Sequence, residues 1–242
     1  NVVKWLKSAK RQTEGNNGSV YLFNDEFTNY QDSEIGIKSI LLLNELGYEV
    51  IIPKHFESGR TFLSKGLLRK AKKIANKNTI ALKDIISDKT PLIGIEPSAI
   101  LSFRDEYPEL VNEDLQEAAK NIAKNCFTID EFIYSEHIKG KISESSFDNQ
   151  NKKILIHGHC QQKAIGSISS IVNALSIPSN YEVEEIPSGC CGMAGSFGYE
   201  KENYELSMKI GNMVLFPAIN NSDETTIICA SGTSCRCQIA DG

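Results

Sequence analysis

The chain has 242 residues, of which 40% are hydrophobic and 24% charged, a composition that supports a folded core and excludes an intrinsically disordered protein. Its formal net charge of -5 is acidic and argues against a dedicated nucleic-acid-binding protein. The longest uncharged stretch, residues 164–181, is interrupted by serines, asparagines and a proline, so no transmembrane helix is expected.

Short apolar runs bounded by turn-forming residues predict the strands of the first half. The predicted strands are residues 19–23, 49–53 and 91–95. A helix is expected over residues 35–46, closed by Gly47, and its mostly apolar surface indicates that it packs against a sheet. A basic helix with a solvated lysine and arginine face is expected over residues 61–76.

The rest of the chain continues this alternation. Helices are predicted over residues 112–125, 162–175 and 200–216. A further helix is predicted to begin at the capping box of residues 128–131. The predicted strands are residues 153–157, 181–186 and 225–228. Residues 143–151 are polar and indicate a surface linker.

Loops after predicted strands recur at matching intervals in the two halves. Glu26 and Ser58 are 32 residues apart, Cys160 and Cys191 are 31 apart, and the next intervals are 40 and 44 residues. This pattern predicts an internal duplication. The expected fold class is α/β, with two similar lobes that each hold a mainly parallel sheet flanked by helices. Such lobes bind ligands at the carboxyl ends of their strands.

The cysteines are seven in number, and six of them lie in the last 83 residues, a distribution unlike that of a secreted, evenly disulfide-bonded protein. A reducing cytoplasmic compartment and metal ligation are therefore expected. Cys160, Cys190, Cys191 and Cys235 all fall at or just after predicted strand ends. Four thiolates from three loops suit an iron–sulfur cluster or zinc, which both favour soft sulfur ligands.

The adjacent cysteine pair lies between Gly189 and Gly192, and both glycines are expected to permit the sharp turn that points two sulfurs into one site. Backbone N–H groups in such a turn can donate hydrogen bonds to anionic sulfur. Lys163 and Arg236 lie near the cysteines in sequence and are expected to offset part of the thiolate charge.

The remaining cysteines and two histidines have more than one interpretation. Cys126, on a predicted helix between the halves, is interpreted as a buried core thiol. Cys229 and Cys237 are either core or loop thiols or a fifth ligand. His157 and His159 lie on one face of a strand end, and each is either a metal ligand or a packed side chain that contacts the ligands.

The spacing of Cys160, the Cys-Cys-Gly run at residues 190–192 and Cys235 resembles the CCG, or cysteine-rich, domain found in heterodisulfide reductases and in the iron–sulfur subunit of glycolate oxidase. Gly232 stands where this family usually has a further cysteine, which removes one possible ligand. The resemblance implies a first CCG-like repeat at residues 1–111, a helical connection and linker at 112–151, and a second repeat with the cysteine cluster at 152–242.

Several segments are similar to a subgroup of that family, the C-terminal part of FAD-linked oxidases of the D-lactate dehydrogenase type. These segments are residues 25–30, 58–60, 94–98, 103–108 and 232–236. In that subgroup the first repeat has lost its cysteines, and here Glu26, residues 57–59 and Ser98 hold the corresponding positions. The resemblance therefore implies one metal site, a 4Fe–4S cluster bound by Cys160, Cys190, Cys191 and Cys235, with zinc as the alternative and Cys229 or His159 as further candidate ligands.

Electron transfer is the function that the resemblance implies. The domain would relay electrons from FAD, held by a flavin domain of a longer parent protein, through a ferredoxin-type domain to an acceptor such as quinone. The parent would oxidise a 2-hydroxy acid of the D-lactate or glycolate type, in the cytoplasm or peripherally at the inner face of the membrane. This chain would supply no complete catalytic site of its own.

Two other functions remain open on the residues alone. A structural zinc module for assembly could use the same four cysteines in a closed tetrahedral site. A thiol enzyme would need a cysteine paired with a base, and Cys160 beside His159 is the candidate pair.

The first repeat presents charged residues where the second presents cysteines. Glu26, Arg60, Glu96 and Arg104 fall near its predicted strand ends and are expected to form an ion-pair network that holds the lobes together. Anion binding or docking through Arg60 and Lys65, near a helix start, is the alternative.

Overall fold

The computed structural model describes residues 1–8 and 15–242 of the chain. These residues divide into two compact units, Asn1–Phe132 and Ile133–Gly242. Each unit holds one parallel β-sheet with helices packed around it, so the predicted α/β class with two similar lobes is confirmed. In the described part of the chain, no helix combines the length and the apolar character needed to cross a bilayer.

The first unit is built on a four-stranded parallel sheet. Its strands are β1 (Gly18–Phe23), β2 (Tyr48–Ile51), β3 (Leu92–Gly94) and β4 (Cys126–Thr128). They lie in the order β2-β1-β3-β4, with parallel pairing throughout. The helices are α1 (Val2–Ser8), α2 (Glu26–Tyr30), α3 (Ser33–Glu45), α4 (Arg60–Ser64), α5 (Leu68–Leu82), α6 (Pro97–Ile100), α7 (Glu106–Leu110) and α8 (Gln116–Lys124). Helix α9 (Ile129–Ile138) leads from the first unit into the second.

Strands β1 to β3 confirm the predicted strands, whereas β4 was not predicted. Cys126 lies in this strand and not on a helix, which corrects its predicted placement. Its interpretation as a core thiol is confirmed, because it is 1% exposed and its Sγ donates a hydrogen bond to the Ile100 carbonyl oxygen at 3.3 Å. Burial raises the pKa of this thiol to about 12.

Two predicted helices of the first unit differ in detail. The basic helix is divided into α4 and α5, because Gly66 between them has a left-handed φ of +68°. Helix α3 packs against β2, as predicted. It buries Ile40 and Leu43 but exposes Leu41 and Leu42, so only one stripe of its apolar surface enters the core.

The second unit repeats the arrangement on a three-stranded parallel sheet. Its strands are β5 (Lys152–His157), β6 (Tyr181–Glu185) and β7 (Ile227–Ala230), in the order β6-β5-β7. Its helices are α10 (Cys160–Ile165), α11 (Ser169–Leu175), α12 (Tyr204–Gly211), α13 (Leu215–Asn220) and α14 (Thr233–Asp241). The first strand of each sheet is central, with the second on one side and the third on the other, which agrees with an internal duplication.

The two long helices predicted for this unit are each interrupted. Residues 162–175 contain the end of α10 and the whole of α11, and residues 200–216 contain α12 and the start of α13. The helices between the strands of this unit are therefore shorter than the periodicity indicated.

The two faces of the second sheet carry different cores. Leu155, Ile228 and Ala230 contact the core that contains Cys191 and Cys235. The alternate residues of the same strands, Ile154, Ile156 and Cys229, belong to the core on the other face. Because successive strand residues point to opposite faces, strand register alone decides which thiols lie on the side of the cysteine pair.

Candidate metal centre

Three buried side chains converge at the carboxyl ends of the second sheet. His157 ends β5, Cys191 lies in the loop after β6, and Cys235 lies in the first turn of α14, which follows β7. A ring nitrogen of His157 and the Sγ atoms of Cys191 and Cys235 all lie within 4.8 Å of one another. Each of these residues is at most 4% exposed. The group is a possible metal site that combines sulfur and imidazole donors.

Cys190 extends this group on the side of Cys191. The thiols of the adjacent pair are hydrogen-bonded to each other, and Cys191 is also hydrogen-bonded to Cys235. The bond with Cys191, together with burial, raises the pKa of Cys190 above its usual value. The pKa of Cys191 is about 11, because the lowering effect of Cys190 is outweighed by Cys235 and burial. Metal binding here would displace protons from these thiols.

The loop that follows the cysteine pair donates backbone N–H groups to sulfur. The Gly192 N–H lies 3.3 Å from the Cys190 Sγ, and the Ala194 N–H is a second donor to that atom. The Met193 N–H donates to Cys191. These three donors confirm the expectation of N–H to sulfur hydrogen bonds, and they favour anionic sulfur at this position.

Gly192 and Gly189 are not equivalent, although the sequence predicted that both permit the turn. Gly192 has a φ of +105°, and a Cβ added there would lie 2.2 Å from the carbonyl oxygen of Ser207. Gly189 has no atom within 4 Å of such a Cβ among the described residues, and its φ lies outside the left-handed region. Gly192 alone is therefore required for the shape of the loop.

Polar side chains from α12 and α14 hold the loop in place. The Ser207 hydroxyl donates to the Gly192 carbonyl oxygen at 2.9 Å, and the Gln238 amide donates to the Ser207 carbonyl oxygen at 3.1 Å. Ser207 is fully buried and Gln238 is 1% exposed, so these bonds are shielded from water. A loop held in this way reorganises little when the charge of a bound group changes.

His157 and Lys163 fix the start of the same loop at Ser188. The Nδ1 atom of His157 is 2.7 Å from the Ser188 hydroxyl, and Lys163 Nζ donates to the Ser188 carbonyl oxygen. Burial lowers the pKa of His157 to about 4, with smaller contributions from the charges of Lys163 and His159. The imidazole is therefore neutral at neutral pH, the state in which it can bind a metal.

The two cations expected to offset thiolate charge have structural partners. Arg236 donates to the carbonyl oxygens of Ala230 and Ser231, at 3.0 and 2.7 Å, and so braces the turn between β7 and α14. Lys163 binds the Ser188 carbonyl oxygen and lies 3.7 Å from a carboxylate oxygen of Glu185. Both side chains connect loops of the site, which is a role that the sequence did not indicate.

Cys160 and Cys229 differ in their relation to the buried group. Cys160 is exposed at the first residue of α10 and lies outside the group of His157, Cys191 and Cys235. Cys229 packs against the core on the opposite sheet face, which favours its interpretation as a core thiol. The assignment of Cys160 as a ligand stays a prediction.

The remaining candidates, Cys237 and His159, lie on or beside α14. Cys237 packs against the core that contains Cys191 and Cys235. His159 caps α10, because its Nδ1 atom accepts the Gln161 N–H at 3.2 Å. Its ring fills the space beside Gly232, where an added Cβ would lie 2.2 Å from the ring Cδ2. The position at which the resembling family usually has a cysteine is thus closed to any side chain in this structure.

Carboxylate–hydroxyl hydrogen bonds occupy the equivalent strand ends of the first unit. Glu26 accepts hydrogen bonds from the Ser58 N–H at 2.8 Å and from the Ser58 hydroxyl at 2.7 Å. Glu96 accepts from the Ser98 hydroxyl at 2.7 Å and caps α6. In the first unit, these hydrogen bonds thus stabilise the loops whose counterparts in the second unit carry cysteines.

The predicted ion-pair network of the first repeat is wrong in its partners. Arg60 pairs with Glu106, and Arg104 pairs with Glu131 through both carboxylate oxygens, at 3.0 and 2.6 Å. Each pair lies inside the first unit. Because Arg60 is already bound to a carboxylate, the alternative of an anion site at this residue gains no support.

Asp25 makes the stability of the first unit depend on pH. It is 1% exposed, and burial raises the pKa of its carboxyl group to about 7. Hydrogen bonds from Thr28 lower this pKa, and the negative charges of Glu96 and Glu26 raise it further. The folded state therefore holds a proton that the unfolded state releases above about pH 4. Stability should fall by up to about 4 kcal/mol as the pH rises from about 4 to 7, and then level off.

The variant Asp25→Asn should remove this dependence, because its amide oxygen can still accept the Phe27 and Thr28 N–H groups at the α2 cap. Denaturant unfolding of both proteins at pH 5 and pH 8 measures the effect. The difference between the two proteins isolates Asp25, since the lowered pKa of His157 acts in the opposite direction over the same range. An equal change in both proteins would show that Asp25 is ionised in the folded state.

The donor set fits a group that prefers sulfur. Two thiols and an imidazole within 4.8 Å, with a third thiol bonded to one of them, are soft or borderline ligands that favour iron–sulfur clusters or zinc over magnesium or calcium. Among the described residues, His157, Cys191 and Cys235 form the one group of three or more His, Cys, Asp or Glu side chains whose ligand atoms lie this close to one another.

Sequence relatives of the chain include D-2-hydroxyglutarate dehydrogenases, a glycerol-3-phosphate dehydrogenase subunit and a lactate utilization protein. A D-2-hydroxyglutarate dehydrogenase of Haemophilus influenzae is 28% identical over 244 residues, which cover 92% of this chain and 22% of that protein. A subunit of the anaerobic glycerol-3-phosphate dehydrogenase of Escherichia coli is 27% identical over 238 residues, 98% of this chain and 58% of that subunit. Lactate utilization protein A of Macrococcus caseolyticus is 25% identical over 188 residues, 74% of this chain and 71% of that protein.

No protein-family model matches the chain. The chain spans about a fifth of the length of the D-2-hydroxyglutarate dehydrogenases that it matches. The relatives fit a CCG-type iron–sulfur domain of FAD-linked oxidoreductases, so the resemblance stated from the residues is confirmed.

Proposed function

We propose that the chain is an electron-transfer iron–sulfur domain of a larger FAD-linked oxidoreductase. The observation that carries this proposal is that the buried side chains of His157, Cys191 and Cys235 converge, with the Cys190 thiol hydrogen-bonded to that of Cys191. An iron–sulfur cluster bound there would supply one-electron redox chemistry at a potential set by its ligands, hydrogen bonds and exposure. The relatives that are dehydrogenases or dehydrogenase subunits support an oxidoreductase assembly.

Cys160, Cys190, Cys191 and Cys235 are the thiolate ligands of the proposed 4Fe–4S cluster. Cys191 and Cys235 are buried, Cys190 is half-buried and Cys160 is exposed. A cluster needs ligands for several iron atoms, and in this proposal Cys190 and Cys160 add to the two buried thiolates.

The surrounding residues would shield and tune the bound group. The N–H groups of Gly192, Met193 and Ala194 favour negative charge on sulfur, and buried Ser207 and Gln238 hold the loop that carries them. Hydrogen bonds of this kind raise the reduction potential of a thiolate-bound centre, because they stabilise its more negative state. Burial of Cys191 and Cys235 keeps water from the inner side.

The parent protein in this proposal oxidises a 2-hydroxy acid on a separate flavin domain. The name of the D-2-hydroxyglutarate dehydrogenase relatives supports this substrate class. Electrons would pass through a ferredoxin-type domain to this chain and then to an acceptor such as quinone. The proposed location is the cytoplasm, with peripheral attachment at the inner face of the membrane as the arrangement that brings quinone within reach.

An anaerobic redox titration tests the electron-transfer proposal. The chain, purified without oxygen, should show broad visible absorption from sulfur-to-iron charge transfer. This absorption should fall on addition of a chemical reductant and return on reoxidation. A metal-loaded chain that is colourless and unchanged by reductant would contradict electron transfer.

A structural zinc module is the second candidate function. The spacing of 4.8 Å favours it, because a single tetrahedral zinc ion with Zn–S bonds of about 2.3 Å needs its ligand atoms close together. A closed zinc site is redox-inactive, so the same titration separates the two candidates.

A further inference from the structure

We propose that the imidazole of His157 is itself a ligand of the bound metal, so that the site binds metal through mixed nitrogen and sulfur donors. This inference rests on the proposed metal centre and adds a ligand that the cysteine spacing does not show. Its basis is position, because a ring nitrogen of His157 lies within 4.8 Å of the sulfurs of both Cys191 and Cys235.

A hydrogen bond with Ser188 holds the imidazole ring of His157. The Nδ1 atom of His157 lies 2.7 Å from the Ser188 hydroxyl, whose other neighbour is the Ile186 carbonyl oxygen at 3.4 Å. In the tautomer in which Nδ1 donates its proton to this hydroxyl, the lone pair of Nε2 is left for a metal. Metal-binding histidines commonly have this arrangement, in which a hydrogen bond from the other nitrogen fixes the ring.

His159 is two residues away but has a different environment. Its Nδ1 atom accepts the Gln161 N–H at the start of α10, so the lone pair of that atom is already used. Its ring packs against the backbone of Gly232, which precedes α14. The structure therefore favours His157 over His159 as the nitrogen ligand, although the sequence pattern treats them alike.

A neutral imidazole adds a donor to the site without adding negative charge, whereas a thiolate at the same position would make the site one unit more negative. Reduction of the centre with the imidazole therefore adds charge to a less negative group, and its potential is higher than with a thiolate at position 157. The variant His157→Cys should consequently lower the midpoint potential. Ser188→Ala, which removes only the hydrogen bond that orients the ring, should weaken metal retention about ten- to hundred-fold.

The test is pulsed electron paramagnetic resonance of the reduced chain, purified without oxygen and labelled with ¹⁵N only in its histidine side chains. A directly bound imidazole gives a strong nitrogen hyperfine coupling, and selective labelling distinguishes the ¹⁵N signal of the imidazole from the ¹⁴N signals of backbone N–H donors. The coupling should be present in the wild type and in His159→Gln and absent in His157→Cys. Circular dichroism of each variant checks that it is folded.

The outcomes separate this inference from the proposed function. Iron and sulfide without a histidine coupling, or a coupling lost in His159→Gln and kept in His157→Cys, would overturn the His157 assignment alone. Zinc with imidazole scattering in its X-ray absorption spectrum, lost in His157→Cys, would support His157 and overturn electron transfer. A folded chain that binds neither metal would overturn both.

Discussion

The variant Cys191→Ser should contain at least tenfold less bound metal per chain than the wild type. The Cys191 sulfur lies within 4.8 Å of donor atoms of His157 and Cys235 and is hydrogen-bonded to Cys190. It is therefore close to three other candidate ligands. A serine hydroxyl is a much poorer ligand for iron or zinc than a thiolate. Metal per chain, measured after anaerobic purification and desalting, gives the result.

Cys229→Ser is the matched control for this experiment. Cys229 belongs to the same unit and lies in β7, but it packs against the core on the other sheet face. Its substitution should leave the metal content unchanged. Equal loss in both variants would mean that the effect is general destabilisation, and full metal retention in Cys191→Ser would remove Cys191 from the site.

Gly192→Ala should destabilise the second unit by about 2–5 kcal/mol and lower its melting temperature by roughly 10 °C or more. An alanine at a φ of +105° is strained, and its Cβ would lie 2.2 Å from the Ser207 carbonyl oxygen, in a core that cannot easily move. The same change displaces the loop that carries the N–H donors to sulfur, so metal binding should fall too. Thermal unfolding of the metal-free chain measures the first effect.

Gly189→Ala is the control, because this glycine flanks the same cysteine pair on the other side. No atom of the described residues lies within 4 Å of a Cβ added at Gly189, so its melting temperature should stay close to that of the wild type. Similar stability of the two alanine variants would contradict the structural role assigned to Gly192.

The features that could be predicted from the sequence are those with local causes. Apolar runs between turn residues predicted six of the seven strands of the described residues, and the recurring intervals predicted two similar lobes. Strand β4 was missed because it has only three residues, Cys126–Thr128, too few for an alternating pattern to be visible. Three predicted helices are interrupted although their periodicity continues. In the basic helix the cause is local, since Gly66 has a left-handed φ of +68° between α4 and α5. In the other two, tertiary packing decides where the helices end.

The features that could not be predicted depend on register and on distant partners. Cys229 and Cys235 look alike in sequence, but one packs under the opposite sheet face and the other lies beside Cys191. Arg60 finds Glu106, which is 46 residues away. The inclusion of His157 in the buried group likewise depends on where β5 ends relative to the loop after β6, a three-dimensional relation without a sequence signal.

The first unit shows how the same loop positions are stabilised without cysteine. Glu26 binds Ser58, and Glu96 binds Ser98, at positions that correspond to cysteine-bearing loops of the second unit. These carboxylates therefore have a structural role in the first unit. The proposed metal chemistry belongs to the second unit, where the cysteines lie.

Iron, acid-labile sulfide and zinc, quantified on the chain purified without oxygen, test the electron-transfer account most directly. A 4Fe–4S centre predicts about four iron and four sulfide per chain, with little zinc. About one zinc per chain with no sulfide would contradict the account and leave a structural metal site in its place.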